Sequence, residues 1–216
     1  MNQLTLIIGN KNYSSWSLRP WLVLKTIGLD FSEIRIPLYT PESKQKLLQY
    51  SPAGKVPILQ HKDLTIWESL AICEYIAENF EPSLYPQDLK ARAIARCVSN
   101  EMHAGFLNLR NSMPMNCRAR LPGKGMNPET KADIERIKAI WSDCRQNLAK
   151  GGDFLFGSFT IADAMFAPVI SRFVTYGVKL NTLEQAYADA IWQLPAMQLW
   201  LEAASQEEET IPEFEL

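Results

Sequence analysis

Two serines stand side by side at positions 14 and 15 in "NYSSWSLRPW", with Ser17, Arg19 and Pro20 close behind. Proline fits the first turn of a helix, where its missing N–H has no partner to lose, so Pro20 predicts a helix starting near residues 16 to 19. Ser14 and Ser15 then lie at the mouth of that helix, where free N–H groups and a positive partial charge favour an anion. Hydroxyls there can donate to a negatively charged atom. No general base is evident, and the only histidines, His61 and His103, have no motif partner, so a Ser-His-Asp hydrolase is disfavoured.

Other stretches offer recognition rather than reaction. In "SPAGKVPIL" (51–59) Val56 precedes a proline, which pushes it toward extended geometry and allows a cis bond. A cis Val56–Pro57 bond would turn the Val56 N–H and C=O out of the sheet, free to pair with an extended peptide. The plainer alternative is a strand that begins with a proline. At Glu68-Ser69, Ser69 reads as the N-cap of a helix over 68–80. Such an N-terminus suits a carboxylate and Glu68 suits an ammonium; a plain cap would not need Glu68. Thr160-x-x-Asp163 reads as a short capping box with a structural role, not a chemical one.

The elements that must position these residues fall into two groups. Residues 4–8 and 32–38, together with "VPILQ" and "LTIWE", read as strands, the last two joined by a hairpin at "HKD". Residues 17–27, 42–49 and 68–80 read as helices, giving the order β-α-β-α-β-β-α and a small mixed sheet. "EPSLYP" (81–86) reads as a linker. Beyond it the pattern is helical: one long helix over 88–110, then 128–149, an almost wholly apolar 160–176, and two more over 183–193 and 196–206. The acidic tail "EEETIPEFEL" reads as loosely held.

Composition narrows the function classes. The chain has 216 residues, 47% hydrophobic, with a formal net charge of −2 and no long basic block, which argues against nucleic acid as a main partner. Its longest apolar runs are too short to cross a membrane, and no signal peptide is read at the N-terminus, so a cytoplasmic protein is expected. Cys73, Cys97, Cys117 and Cys144 form no CxxC pair and read as buried free thiols; no metal site is expected.

The ordered set of serine loop, "VP" before a hairpin, "ES" opening a helix, and a helical second half resembles the cytosolic glutathione S-transferases. Within them it is similar to serine-type bacterial members related to the zeta class, whose loop carries a similar Ser-Ser-x-Ser-x-Arg run. The resemblance implies an α/β plus all-α fold: a thioredoxin-like glutathione-binding domain over 1–80, the linker, and an all-helical domain over 87–216 contributing the electrophile site. It implies glutathione as co-substrate, a homodimer, and transfer of the glutathione thiolate onto a small electrophile, a detoxification chemistry. A glutathione-dependent isomerase or peroxidase, or a non-catalytic glutathione-binding protein, remains the alternative.

The resemblance also assigns roles. Ser14, then Ser15 and lastly Ser17, would donate to the thiolate; Tyr13 is a rival donor. The cysteinyl backbone would dock on Val56, the γ-glutamyl end on Glu68 and Ser69, and the glycyl carboxylate on Lys55, with Lys44 a weaker candidate. Met102, His103, Phe106, Arg110 and Met113 would line the electrophile site. Lowering a thiol pKa from about 8.5 by about 2 units needs about 2.7 kcal/mol of preferential stabilisation, within reach of a hydroxyl at a helix N-terminus. Two departures stand out: Trp16 replaces the zeta pattern's cysteine, and Thr175 falls where zeta isomerases carry a substrate arginine, with Arg172 the nearest basic residue. Maleylacetoacetate isomerisation is therefore disfavoured.

Overall fold

The computed structural model describes residues 4–216; the first three residues of the expected N-terminal domain lie outside the described part. Strands β1 (Leu4–Ile8), β2 (Phe31–Arg35), β3 (Ile58–His61) and β4 (Leu64–Trp67) form one sheet in the order β2-β1-β3-β4. β1 pairs parallel with β2, and β1–β3 and β3–β4 pair antiparallel, so β1 sits inside the sheet with Leu6, Ile7 and Ile8 wholly buried. Apart from the half-buried Thr5, its apolar run follows from burial on both faces. Helices α1 (Ser15–Thr26), α2 (Ser43–Leu48) and α3 (Ser69–Asn79) complete the βαβαββα order expected of a thioredoxin-like unit. The hairpin turns on Lys62, at a left-handed φ of 56°.

Segment 81–86 is not featureless: Pro82–Leu84 makes a 3-10 turn, and Leu84 and Tyr85 are buried. The helices that follow are α4 (Leu89–Ala104), α5 (Leu107–Ser112), α6 (Pro128–Asn147), α7 (Ile161–Tyr176), α8 (Thr182–Trp192) and α9 (Pro195–Ser205). α7 is the apolar centre and packs directly on α1, so one continuous core joins the sheet unit to the bundle.

Several expectations need correction. The helix expected over 88–110 is two helices, broken at Gly105 and at Phe106, whose φ of 61° is left-handed. A side chain at Gly105 would collide with the Glu101 carbonyl, 2.8 Å from the Cβ position. α1 starts at Ser15, one residue before the expected window, and Pro20 lies inside it. The Ser14 cap holds the first turn, at the expense of the one hydrogen bond that Pro20 cannot donate to Trp16. Cys97 is exposed, unlike the other three cysteines, because it lies on the outer face of α4.

The tail is tied down. The Glu207 carboxylate accepts from the backbone N–H of Lys11 (2.7 Å) and Asn12 (3.0 Å), and Arg35 bonds Glu209 at 2.6 Å. Ile211 is buried, and the Arg118 guanidinium donates to the carbonyls of Glu207 and Glu209. Acidic composition looked unstructured, but the acids meet donors more than a hundred residues away in sequence, on the loop before Ser14 and at the end of β2.

Candidate active site

The mouth of α1 is built by its serines. Ser14 is the N-cap, and its Oγ accepts from the Ser17 N–H at 3.3 Å. The Ser14 and Ser17 hydroxyls lie 2.7 Å apart, and Ser17 Oγ also accepts from the Gly9 N–H at 3.1 Å. The helix mouth is thereby pinned to the end of β1. No acidic residue stands in the first turn of α1, so its positive end carries no carboxylate of its own. Ser15, the first helical residue, has its Oγ 3.4 Å from Nη2 of Arg172 on α7.

Tyr13, the rival donor, is engaged elsewhere. Its hydroxyl donates to the Glu215 carboxylate and accepts from Arg118 at 3.0 Å, and its ring contacts Phe214 at 5.8 Å between centroids. The tail thus holds the tyrosine.

Beside the serines a groove of about 260 Å³ opens, lined by Trp16, Ala53, Lys55, Val56, Pro57, Trp67, Glu68 and Ser69. Lys55, Val56, Glu68 and Ser69, four residues chosen from sequence, share this one groove; Ser14 and Ser15 stand beside it rather than among its lining residues. The Val56–Pro57 bond is cis, and Val56 precedes the first ladder residue of β3, Ile58. Lys44 lies exposed on α2, outside the lining. A cleft of about 350 Å³ beside Tyr85, Arg92 and Arg96 contains none of the chosen residues.

The start of α3 differs from expectation by one residue. Glu68, not Ser69, is the N-cap, and it makes no side-chain cap bond. Its φ of 70° and ψ of 124° are costly for a residue with a Cβ, and such outliers concentrate at ligand sites. Ser69 is wholly buried, and its Oγ accepts from Arg19 Nη1 at 3.4 Å.

The seam between the groove and the bundle is cationic. Arg19 and Arg110 place their guanidinium carbons 4.4 and 4.7 Å from the Trp16 ring centroid, and the His103 ring meets Trp16 edge-on at 5.4 Å. Burial, then repulsion from Arg110 and Arg172, draws the Arg19 pKa well below its usual value. Burial, then Arg110, brings Arg172 down to about 10. Burial and the nearby Arg19 also lower the His103 pKa, against the pull of Glu68, whose carboxylate lies 3.6 Å from His103 Nε2.

The expected electrophile wall is dispersed. Met102, at 1% exposure, and Met113 and Phe106 pack in the core. Arg110 closes the break between α4 and α5: Nε donates to the Gly105 carbonyl at 2.9 Å, and Nη2 donates to the carbonyls of Met102 and His103. Sequence reasoning passed over Trp67 and Ala53 in the groove lining. It weighed Trp16 only as a departure and Arg172 only as a neighbour of Thr175. Thr175 itself donates its hydroxyl to the carbonyls of Asn116 and Ser171.

Comparison with known proteins gives a consistent result. Residues 13–79 match the family described as "Glutathione S-transferase, N-terminal domain", and residues 127–203 match "Glutathione S-transferase, C-terminal domain". The chain is 38% identical to "Glutathione S-transferase 1" of Dianthus caryophyllus over 104 residues, a match spanning 47% of this chain and 46% of that one. It is 31% identical to "Probable maleylacetoacetate isomerase" of Caenorhabditis elegans over 159 residues, 72% of each chain. A glutathione transferase homolog from Burkholderia, solved with bound glutathione, has the same fold, with a TM-score of 0.73 and 24% identity over 95% of this chain and 100% of that one. The chain belongs to the glutathione S-transferase family.

Proposed function

We propose that this chain is a glutathione transferase that binds glutathione in the groove beside α1 and holds its sulfur as a thiolate at the α1 mouth. The observation that carries this reading is the convergence of Lys55, Val56, Glu68 and Ser69 on one groove next to an acid-free helix N-terminus. The Val56 backbone pairs with the cysteinyl unit, Glu68 and Ser69 take the γ-glutamyl end, and Lys55 takes the glycyl carboxylate. Ser14 is the principal thiolate donor. The Ser14 and Ser17 hydroxyls lie 2.7 Å apart and either can donate to the other; when Ser17 donates, the Ser14 proton is left for the sulfur, and the helix N-terminus adds to it. Ser15 assists. The electrophile approaches through the seam, past Trp16, His103 and Arg110. Two copies of the chain associate.

The test is the ultraviolet thiolate signal of bound glutathione as pH is varied. The wild type should titrate about 2 units below the free thiol. Ser14→Ala should recover about 1 unit of that shift and lower kcat/KM at pH 6.5 by about tenfold. An unshifted thiol in the wild type removes the transferase reading. The second reading, a glutathione-dependent isomerase, is favoured by the name of the nematode relative. Turnover of maleylacetoacetate, with no reaction on a panel of electrophiles, would select it.

A further inference from the structure

Arg19 and Arg172 are both almost wholly enclosed, at 0% and 4% exposure, and among the described residues neither forms an ion pair. Buried guanidinium groups without an acid are costly and call for an explanation. Their titratable neighbours supply no negative charge. Burial pushes the Cys73 thiol up to about 12, the Cys117 thiol up to about 11 and the Tyr176 hydroxyl up to about 12, so all three are neutral at pH 7. The charged neighbour common to both is Arg110, another cation, and Arg172 itself adds to the positive charge around Arg19.

Both arginines nevertheless use an N–H on a serine beside the groove. Arg172 Nη2 lies 3.4 Å from Ser15 Oγ, while its Nε and Nη1 donate to the Met113 and Pro168 carbonyls at 2.8 and 3.2 Å. Arg19 Nη1 lies 3.4 Å from Ser69 Oγ, and its Nε has no partner among the described residues. A hydroxyl whose oxygen accepts from a cation keeps its own proton free to donate, and donates it more strongly.

We propose that Arg172 and Arg19 are positioning residues for glutathione: Arg172 behind Ser15 and Arg19 behind Ser69 turn each hydroxyl into a donor, and bound glutathione is the anion that neutralises them. The proposal rests on the glutathione reading above. Arg172 acts at the sulfur end and Arg19 at the γ-glutamyl end, so their effects separate. Trp16 keeps Arg19 in place by stacking, which links the loop's departure from the zeta pattern to the buried charge.

The experiment titrates the thiolate absorbance of glutathione bound to the full chain and measures glutathione affinity by calorimetry. Arg172→Met should raise the bound-thiol pKa by about 1 unit with glutathione affinity at high pH changed less than threefold, and Arg172→Lys should restore at least half of the shift. Arg19→Lys, which keeps charge but loses the fork and the stacking, should weaken affinity about tenfold and leave the thiol pKa in place. Should Arg172→Met fail to fold, Arg172→Gln keeps donors for the two carbonyls without the charge and must raise the thiol pKa as well. If Arg172→Met, or Arg172→Gln in its place, leaves the wild-type thiol pKa unchanged, the proposal is overturned while the transferase reading stands. If the wild type shows no lowered thiol pKa, the transferase reading fails instead.

Discussion

Two helix N-termini in this molecule are capped by hydroxyl residues and enclosed by the core, yet they are finished in opposite ways. α7 is capped by Thr160, and Asp163 reaches back to take the Thr160 N–H and hydroxyl, both at 2.8 Å, and the Leu155 N–H at 3.1 Å. Its anion is part of the chain. α1 is capped by Ser14, has no acid in its first turn, and has Arg172 behind Ser15. The α7 start contains its own carboxylate; the α1 start, in the function proposed above, receives one charge from glutathione.

Removing the internal anion should have the largest effect. Asp163→Ala strands three donors and should cost about 2 kcal/mol at pH 7, measured by urea unfolding. Burial raises the Asp163 pKa to about 6, above its unfolded value. A raised carboxyl stabilises the fold below the unfolded pKa and loses that contribution as pH rises through the folded one. The deficit of the variant should therefore grow by about 1.4 kcal/mol per unit as pH falls from 6 to 4. A deficit that shrank over that range would contradict the burial of this group, and a loss of glutathione affinity would blur the contrast between the two helix starts.

Supplying an anion to α1 is the converse. Ser15→Asp should stabilise the chain by about 1 kcal/mol, through the helix end and Arg172, and should weaken glutathione binding by at least tenfold. If affinity were unchanged, the α1 mouth would not be the site of the bound negative charge. The smallest effect belongs to Thr160→Ala, which should cost about 1 kcal/mol and leave the bound-thiol titration untouched.

The parts of this contrast legible in the sequence were local. Thr160 and Asp163 sit three residues apart, Pro20 limits where α1 can begin, and Val56–Pro57 announces an irregular strand start. Boundaries shifted by a residue where a special backbone angle intervened, as at Glu68, which took the cap from Ser69. The break at Gly105 and Phe106 was visible only as a glycine in a good helical pattern, which helices often tolerate. The pairing of Ser15 with Arg172 spans 157 residues, and a sequence shows an arginine's charge but not its burial. The tail failed for the same reason: its acids read as solvated until Lys11, Arg35 and Arg118 were seen beside them.

Trp16 and Trp67 both line the groove, on opposite sides of the cis proline in sequence. A molecule settling there displaces water from two indoles at once, one of them already stacked against guanidinium groups. Indole emission responds to neighbouring charge and hydration, so the protein carries its own optical gauge of occupancy. Titrations can be followed on unlabelled chain, and replacing either tryptophan by phenylalanine would tell which indole reports.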